Sequence, residues 1–158
     1  MIKHIWSVLC KESTINQEDN NLSIRDILES LQVGLKPNPE NPPTNTEIDA
    51  VIPISYEVTS LITRTDADQE TNIETEIIVF SPKRLELARQ KHNFTIPKGI
   101  RRMRIRMKNT GFKVIGSGDY IFQVGMKEDN QKVFKKVAEL PLEVLITLES
   151  EIKKKTVN

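Results

Sequence analysis

Few side chains in this sequence can do chemistry on their own. It has one cysteine, two histidines and only 5% aromatic residues. No run approaches the roughly 18 consecutive apolar residues that a membrane span needs. The single thiol, Cys10, cannot close an internal disulfide, so nothing points to an oxidising compartment. Its neighbourhood lacks the His or Cys company of a nucleophile or metal ligand, so it reads as a small buried hydrophobe. His4 and His92 come without a nucleophile elbow, a phosphate-binding glycine loop or a Cys/His cluster. His4 alternates with Trp6 and Val8 and reads as a packed residue near a strand start. The residues thus point away from an enzyme and call for no cofactor and no metal. Asp66-Ala67-Asp68-Gln69-Glu70 sets carboxylates at alternate positions, as a calcium loop does. It lacks the glycine turn and distal glutamate of an EF-hand and reads as a solvated loop.

The apolar N-terminus, Met1 to Cys10, is too short for a signal peptide and runs straight into Lys11-Glu12. Val8-Leu9-Cys10 resembles a lipoprotein cleavage site, but the leader before it is far too short. The expectation is a soluble, cytoplasmic protein with no membrane partner. The length of 158 residues fits one domain, here 1–150, followed by a frayed basic tail, 151–158.

What the chain does have is a lopsided charge. From Lys11 to Pro82 there are 4 cations and 14 carboxylates, a net of −10. From Lys83 to Lys136 there are 15 cations and 4 carboxylates, a net of +11, and the whole sums to +1. The basic half peaks in Arg101-Arg102-Met103-Arg104-Ile105-Arg106-Met107-Lys108, where cations alternate with apolar residues.

Alternation is the dominant pattern throughout, and a period of two means strands with one buried face. His4, Trp6, Val8 and Cys10 share one face of a first strand. Ile52, Ile54, Tyr56 and Val58 share another, opposed by Ser55, Glu57 and Thr59. Ile73, Thr75, Ile77 and Val79 alternate with Glu74 and Glu76. Tyr120, Phe122, Val124 and Met126 form a face, and so do Leu140, Leu142, Val144, Ile146 and Leu148, with Phe134 and Ala138 in the same register. Pro53 and Pro141 call for a strand start, an edge or a bulge. Asp19-Asn20-Asn21 and Pro97-Lys98-Gly99 are turns. Asn21 to Val33 carries both helical and strand spacing, and a strand with a central bulge satisfies both ends. Pro82 to Gln90 is a candidate for one short helix, with proline at the first helical position. Pro37 to Thr46 is an extended proline loop. After Gly116-Ser117-Gly118, Tyr120 can pack its ring in the core and reach backbone with its hydroxyl. The fold these features give is an all-β antiparallel sandwich of about eight strands.

On a strand, Arg102, Arg104, Arg106 and Lys108 point one way, about 6.5 to 7 Å apart. Such a ladder can track a nucleic-acid backbone, but single-strand binders also need aromatic stacking platforms, and this run contains none. Cross-strand pairing with Glu57, Glu74 and Glu76 would instead spend the charge internally. The leading function is a non-enzymatic interaction module that binds a protein partner or itself as a homo-oligomer. Its candidate anion- or partner-binding residues are Lys98, Arg101, Arg102, Arg104, Arg106 and Lys108. The alternative is a nucleic-acid-binding protein that uses the same ladder.

Two stretches carry a resemblance. One is Asn21-Leu22-Ser23-Ile24-Arg25-Asp26-Ile27-Leu28-Glu29; the other is Gly118-Asp119-Tyr120 with Val137-Ala138-Glu139-Leu140-Pro141-Leu142-Glu143-Val144. Together, about a third of the chain, they resemble a group of small bacterial and phage-associated β-sandwich domains. The resemblance implies a sandwich and a final hairpin, and brings no functional residues with it.

Overall fold

The computed structural model describes residues 1–36, 40 and 48–148. These form nine strands: β1 (Ile2–Ile15), β2 (Leu22–Ile27), β3 (Ser30–Leu35), β4 (Ala50–Arg64), β5 (Thr71–Phe80), β6 (Glu86–Ile96), β7 (Arg102–Val114), β8 (Gly118–Glu128) and β9 (Lys135–Leu148). They make two sheets, ordered β2-β1-β4-β7 and β3-β9-β8-β5-β6. The expected all-β sandwich is what forms, with nine strands rather than about eight. One pair, β3 with β9, is parallel. Most of the proline loop and the tail, 37–39, 41–47 and 149–158, lie outside the described residues.

The helix expected over Pro82 to Gln90 is a tight turn followed by a strand. Arg84 N–H donates to Ser81 O, Ser81 N–H to Leu85 O, and Leu85 N–H to Ser81 Oγ. Arg84 takes a φ of 64°, which ends any helix. From Glu86 the chain pairs along β5 as an edge strand. Ladder formation outweighs helix propensities of a few tenths of a kcal/mol per residue.

Asn21 to Val33 is extended rather than helical, but its middle is not a bulge. Strand β2 ends in one sheet and β3 begins in the other, with Leu28 and Glu29 carrying the chain across. Leu28 N–H donates to Leu9 O, and Glu143 N–H donates to Glu29 O, so the crossing is bonded to both layers. It closes one side of the sandwich. On the opposite side lie β6 and β7, the far edges of the two sheets, joined by the turn at Pro97-Lys98-Gly99.

The core draws on both layers: Val58, Ile62, Ile105 and Met107 from one, and Ile73, Ile77, Phe122, Val124, Leu142 and Val144 from the other. Tyr56, Phe112, Tyr120 and Phe122 pack ring to ring within it. Tyr120 Oη accepts from Ile115 N–H (2.9 Å) and donates to Gly116 O (2.7 Å), so its ring is buried and its hydroxyl satisfied at the turn.

Three expected faces are corrected. A bulge between His4 and Trp6 reverses the phase of β1. His4, opposite Ile62, therefore faces the core, while Trp6, Val8 and Cys10 face outward opposite Leu61, Thr59 and Glu57. Phe134 does not join the core face of β9, because the β8–β9 register shifts between Val124 and Gly125. Its ring lies on the outside, near the ammonium groups of Lys91 and Lys127. Glu57 and Thr59, expected to face solvent, are buried. Both prolines sit where a missing N–H is tolerated. Pro53 falls in a register irregularity of β4, and Pro141 pairs with β8 before β3 joins β9.

Candidate binding surface

Strand β7 places the cationic ladder on the outer face of the four-stranded sheet. The registers line up rows across that face: Trp6, Leu61 and Arg104; Val8, Thr59 and Arg106; Cys10, Glu57 and Lys108. The β1–β2 hairpin leans back over these rows. Arg104 donates from Nη1 to Asn20 O (2.7 Å) and from Nη2 to Asn20 Oδ1 (2.8 Å). Arg106 Nη1 donates to Ser13 O (3.1 Å). With the hairpin held there, Ser13, Glu57 and Thr59 are buried. Glu57 Oε1 accepts from Thr59 Oγ1 (3.2 Å) and from the Cys10 thiol (3.8 Å). Burial pushes the Cys10 thiol pKa above its ordinary value, and the neighbouring Glu57 carboxylate pushes it the same way.

The six candidate residues divide into two sets. Arg104 and Arg106 are half-buried and fixed by the hairpin. Lys98, Arg101, Arg102 and Lys108 are exposed. Among the described residues, no ion pair within 4.0 Å reaches any of the six. The carboxylates expected to spend this charge are engaged elsewhere. Glu74 pairs with Lys127 (3.1 Å) and Glu76 with Arg89 (2.8 Å), both in the five-stranded sheet. Of these three, Glu57 alone stands beside the ladder, opposite Lys108 in register.

Sequence reasoning missed Arg64, which organises the approach to the ladder. It is 4% exposed at the end of β4 and, among the described residues, has no carboxylate within ion-pair distance. Its Nε donates to Ile100 O (2.8 Å), Nη2 to Pro97 O (2.6 Å), and Nη1 to Gln69 O (2.6 Å) and Thr71 Oγ1 (2.9 Å). The fork therefore locks the β4–β5 loop to the turn that carries Lys98 and Arg101. Gly99 N–H, donating to Ala67 O, adds a backbone link. The only sequence sign was an arginine closing an apolar alternation.

A cleft of about 120 Å³ opens beside Arg64, lined also by Met1, Asp66, Glu70 and Glu128. Neither histidine lines it. His4 Nε2 is hydrogen-bonded to Ser7 Oγ (2.8 Å), which is bonded in turn to Ser60 Oγ (2.6 Å), a chain that satisfies a buried serine between the sheets. Burial lowers the pKa of this imidazole. Among the described residues, no helix is long and apolar enough to cross a membrane.

No protein-family model and no curated protein matches the chain. Among solved structures, it is similar to the C-terminal domain of wzt, with a TM-score of 0.49 and 13% identity over 92% of this chain and 74% of that one. It is also similar to a β-glucuronidase from glycoside hydrolase family 2 (TM-score 0.42, 19% identity, 64% of this chain) and to the Bacteroides uniformis β-glucuronidase (TM-score 0.40, 13% identity, 63% of this chain). The chain spans only 11% of each glucuronidase.

Proposed function

We propose that this protein is a non-enzymatic interaction module whose basic side, from Lys98 to Lys108, binds an acidic surface of a protein partner. One observation carries the reading: among the described residues, these six cations form no ion pair with a carboxylate, although the chain holds nearly as many acids as bases. Uncancelled charge of one sign steers partners of the other and suppresses wrong ones. Lys98, Arg101, Arg102 and Lys108 meet the partner first, and Arg104 and Arg106 form a preset floor.

The test is fluorescence anisotropy with a labelled, glutamate-rich peptide at low and near-physiological salt, with light scattering on the same sample. The expected result is salt-sensitive binding that Arg101→Glu with Arg102→Glu abolishes without unfolding the protein. A defined oligomer that the same pair of substitutions dissolves would make the partner a second copy. A peptide that never binds would sink the reading.

The second reading, nucleic acid, gains from one feature hidden in the sequence. Half-buried Trp6 lies in the same row as Arg104, two strand spacings away, about 9 to 10 Å. That juxtaposes a stacking ring and phosphate-binding charge. A single-stranded oligonucleotide of matched charge that binds more tightly than the peptide, and loses affinity in Trp6→Ala, would favour it.

A further inference from the structure

We propose that the acidic partner binds β7 by adding a strand to its free edge, with carboxylates at every second position. This rests on the function proposed above and specifies how it works. Among the described residues, strand β7 is the last strand of its sheet and has β4 as its only neighbour there. In an antiparallel pair, residues alternate between those that exchange both backbone hydrogen bonds with the neighbour and those whose N–H and C=O point the other way. The phase is set by Arg64 N–H, which donates to Arg101 O at 3.0 Å. The register from Ser55↔Thr110 to Thr63↔Arg102 runs without a shift. Met103, Ile105 and Met107 therefore bond to β4. The residues whose N–H and C=O face the open side are Arg102, Arg104, Arg106 and Lys108.

The free hydrogen-bonding groups of the edge thus belong to the four cations themselves. An added antiparallel strand would place one residue directly opposite each, about 5.5 Å away between Cα atoms, with side chains on the same outer face. Glutamate or aspartate at those positions would form backbone bonds and ion pairs together. Strand addition draws affinity from the backbone and specificity from alternate side chains. The same charges disfavour a second β7, since two such edges would oppose like charges across the new ladder. They also distinguish β7 from β6, the other edge on this side. There Arg89 is bound to Glu76 and Glu86, and Lys91 lies against the Phe134 ring.

The experiment uses the full chain and three probes. The first is a peptide of about nine residues with glutamate at alternate positions and threonine or valine between. The second is the same peptide N-methylated at its two central glutamates, which keeps the charge and removes the amides that would bond to β7. The third is a single-stranded oligonucleotide of equal charge. Binding is read by anisotropy, and protection by residue-resolved amide exchange. Strand addition predicts that N-methylation weakens binding about tenfold or more. It also predicts that the amides of Arg102, Arg104, Arg106 and Lys108 slow on binding, while those of Met103, Ile105 and Met107, already bonded, do not change. Equal binding of both peptides with no alternate protection overturns strand addition and leaves the acidic-partner reading standing. If neither peptide binds, both fall, and binding of the oligonucleotide alone transfers the ladder to nucleic acid.

Discussion

Replacing Arg64 with lysine keeps the charge and most of the apolar stem, so it isolates the value of the guanidinium fork. The fork serves four acceptors spread around it: Ile100 O, Pro97 O, Gln69 O and Thr71 Oγ1. A lysine ammonium has three donors on one nitrogen and cannot reproduce that spread. At least two acceptors go unmet, and a buried polar group left without its partner costs about 1–3 kcal/mol. The adjoining cleft admits water to part of the site, which favours the lower end, so the expected loss is about 2–4 kcal/mol. Against a total stability of about 5–15 kcal/mol this is large. At about 2–4 °C per kcal/mol for a chain of this size, the midpoint should fall by roughly 5–15 °C. Urea unfolding should show a lower midpoint with an unchanged slope. Exchange at the Gly99 amide should quicken, because its acceptor, Ala67 O, lies on the loop that Arg64 secures. Arg64→Met, which serves no acceptor, should be worse still. A loss under about 0.5 kcal/mol for Arg64→Lys, the size expected of an ordinary surface change, would refute the idea that the fork holds these loops.

Three further outcomes follow from the same geometry. Tyr120→Phe keeps the ring against Phe112 but strands Ile115 N–H and Gly116 O, and should cost about 1–3 kcal/mol by thermal denaturation. Gly118→Ala should cost more than about 1 kcal/mol, because Gly118 has a φ of 138° and an added Cβ would lie 2.9 Å from the Pro82 ring. Stability should also fall at both ends of the pH scale. Burial raises Cys10, Tyr56 and Tyr120 above their ordinary values of 9.0, 10.0 and 10.0, so the unfolded chain gives up these protons first. Their contribution is complete below pH 9 and is lost as the pH climbs past it, with the earliest part removed in Cys10→Ala. His4 is lowered from 6.5, so the unfolded chain takes up that proton first. Its contribution is present above pH 6.5 and lost as the pH falls, and His4→Gln should flatten that arm in pH-dependent urea titrations.

Alternation alone determined that the chain is all-β and which residues of β5 and β8 face inward. A period of two is local, and one buried face enforces it along the whole strand. Turn chemistry at Asp19-Asn20-Asn21, Pro97-Lys98-Gly99 and Gly116-Ser117-Gly118 was equally local, as was the anchoring of Tyr120. The sequence also picked out the six cations. What it could not reveal was anything set by a second strand. The bulges that turn His4 inward and Phe134 outward add single residues, and only the partner's register exposes them. The crossing at Leu28 and Glu29 and the loss of a helix after Pro82 depend on which layer offers a free ladder. The fate of the charge was the most distant of these. Glu57, Glu74 and Glu76 look alike in the sequence, yet one lies buried under a hairpin and two belong to the other sheet. Ion pairs need approach within a few ångströms, and strand order decides which charges come that close. The sequence by itself determined that a basic strand exists; only the tertiary structure made it an edge strand whose cations, among the described residues, form no ion pair with a carboxylate.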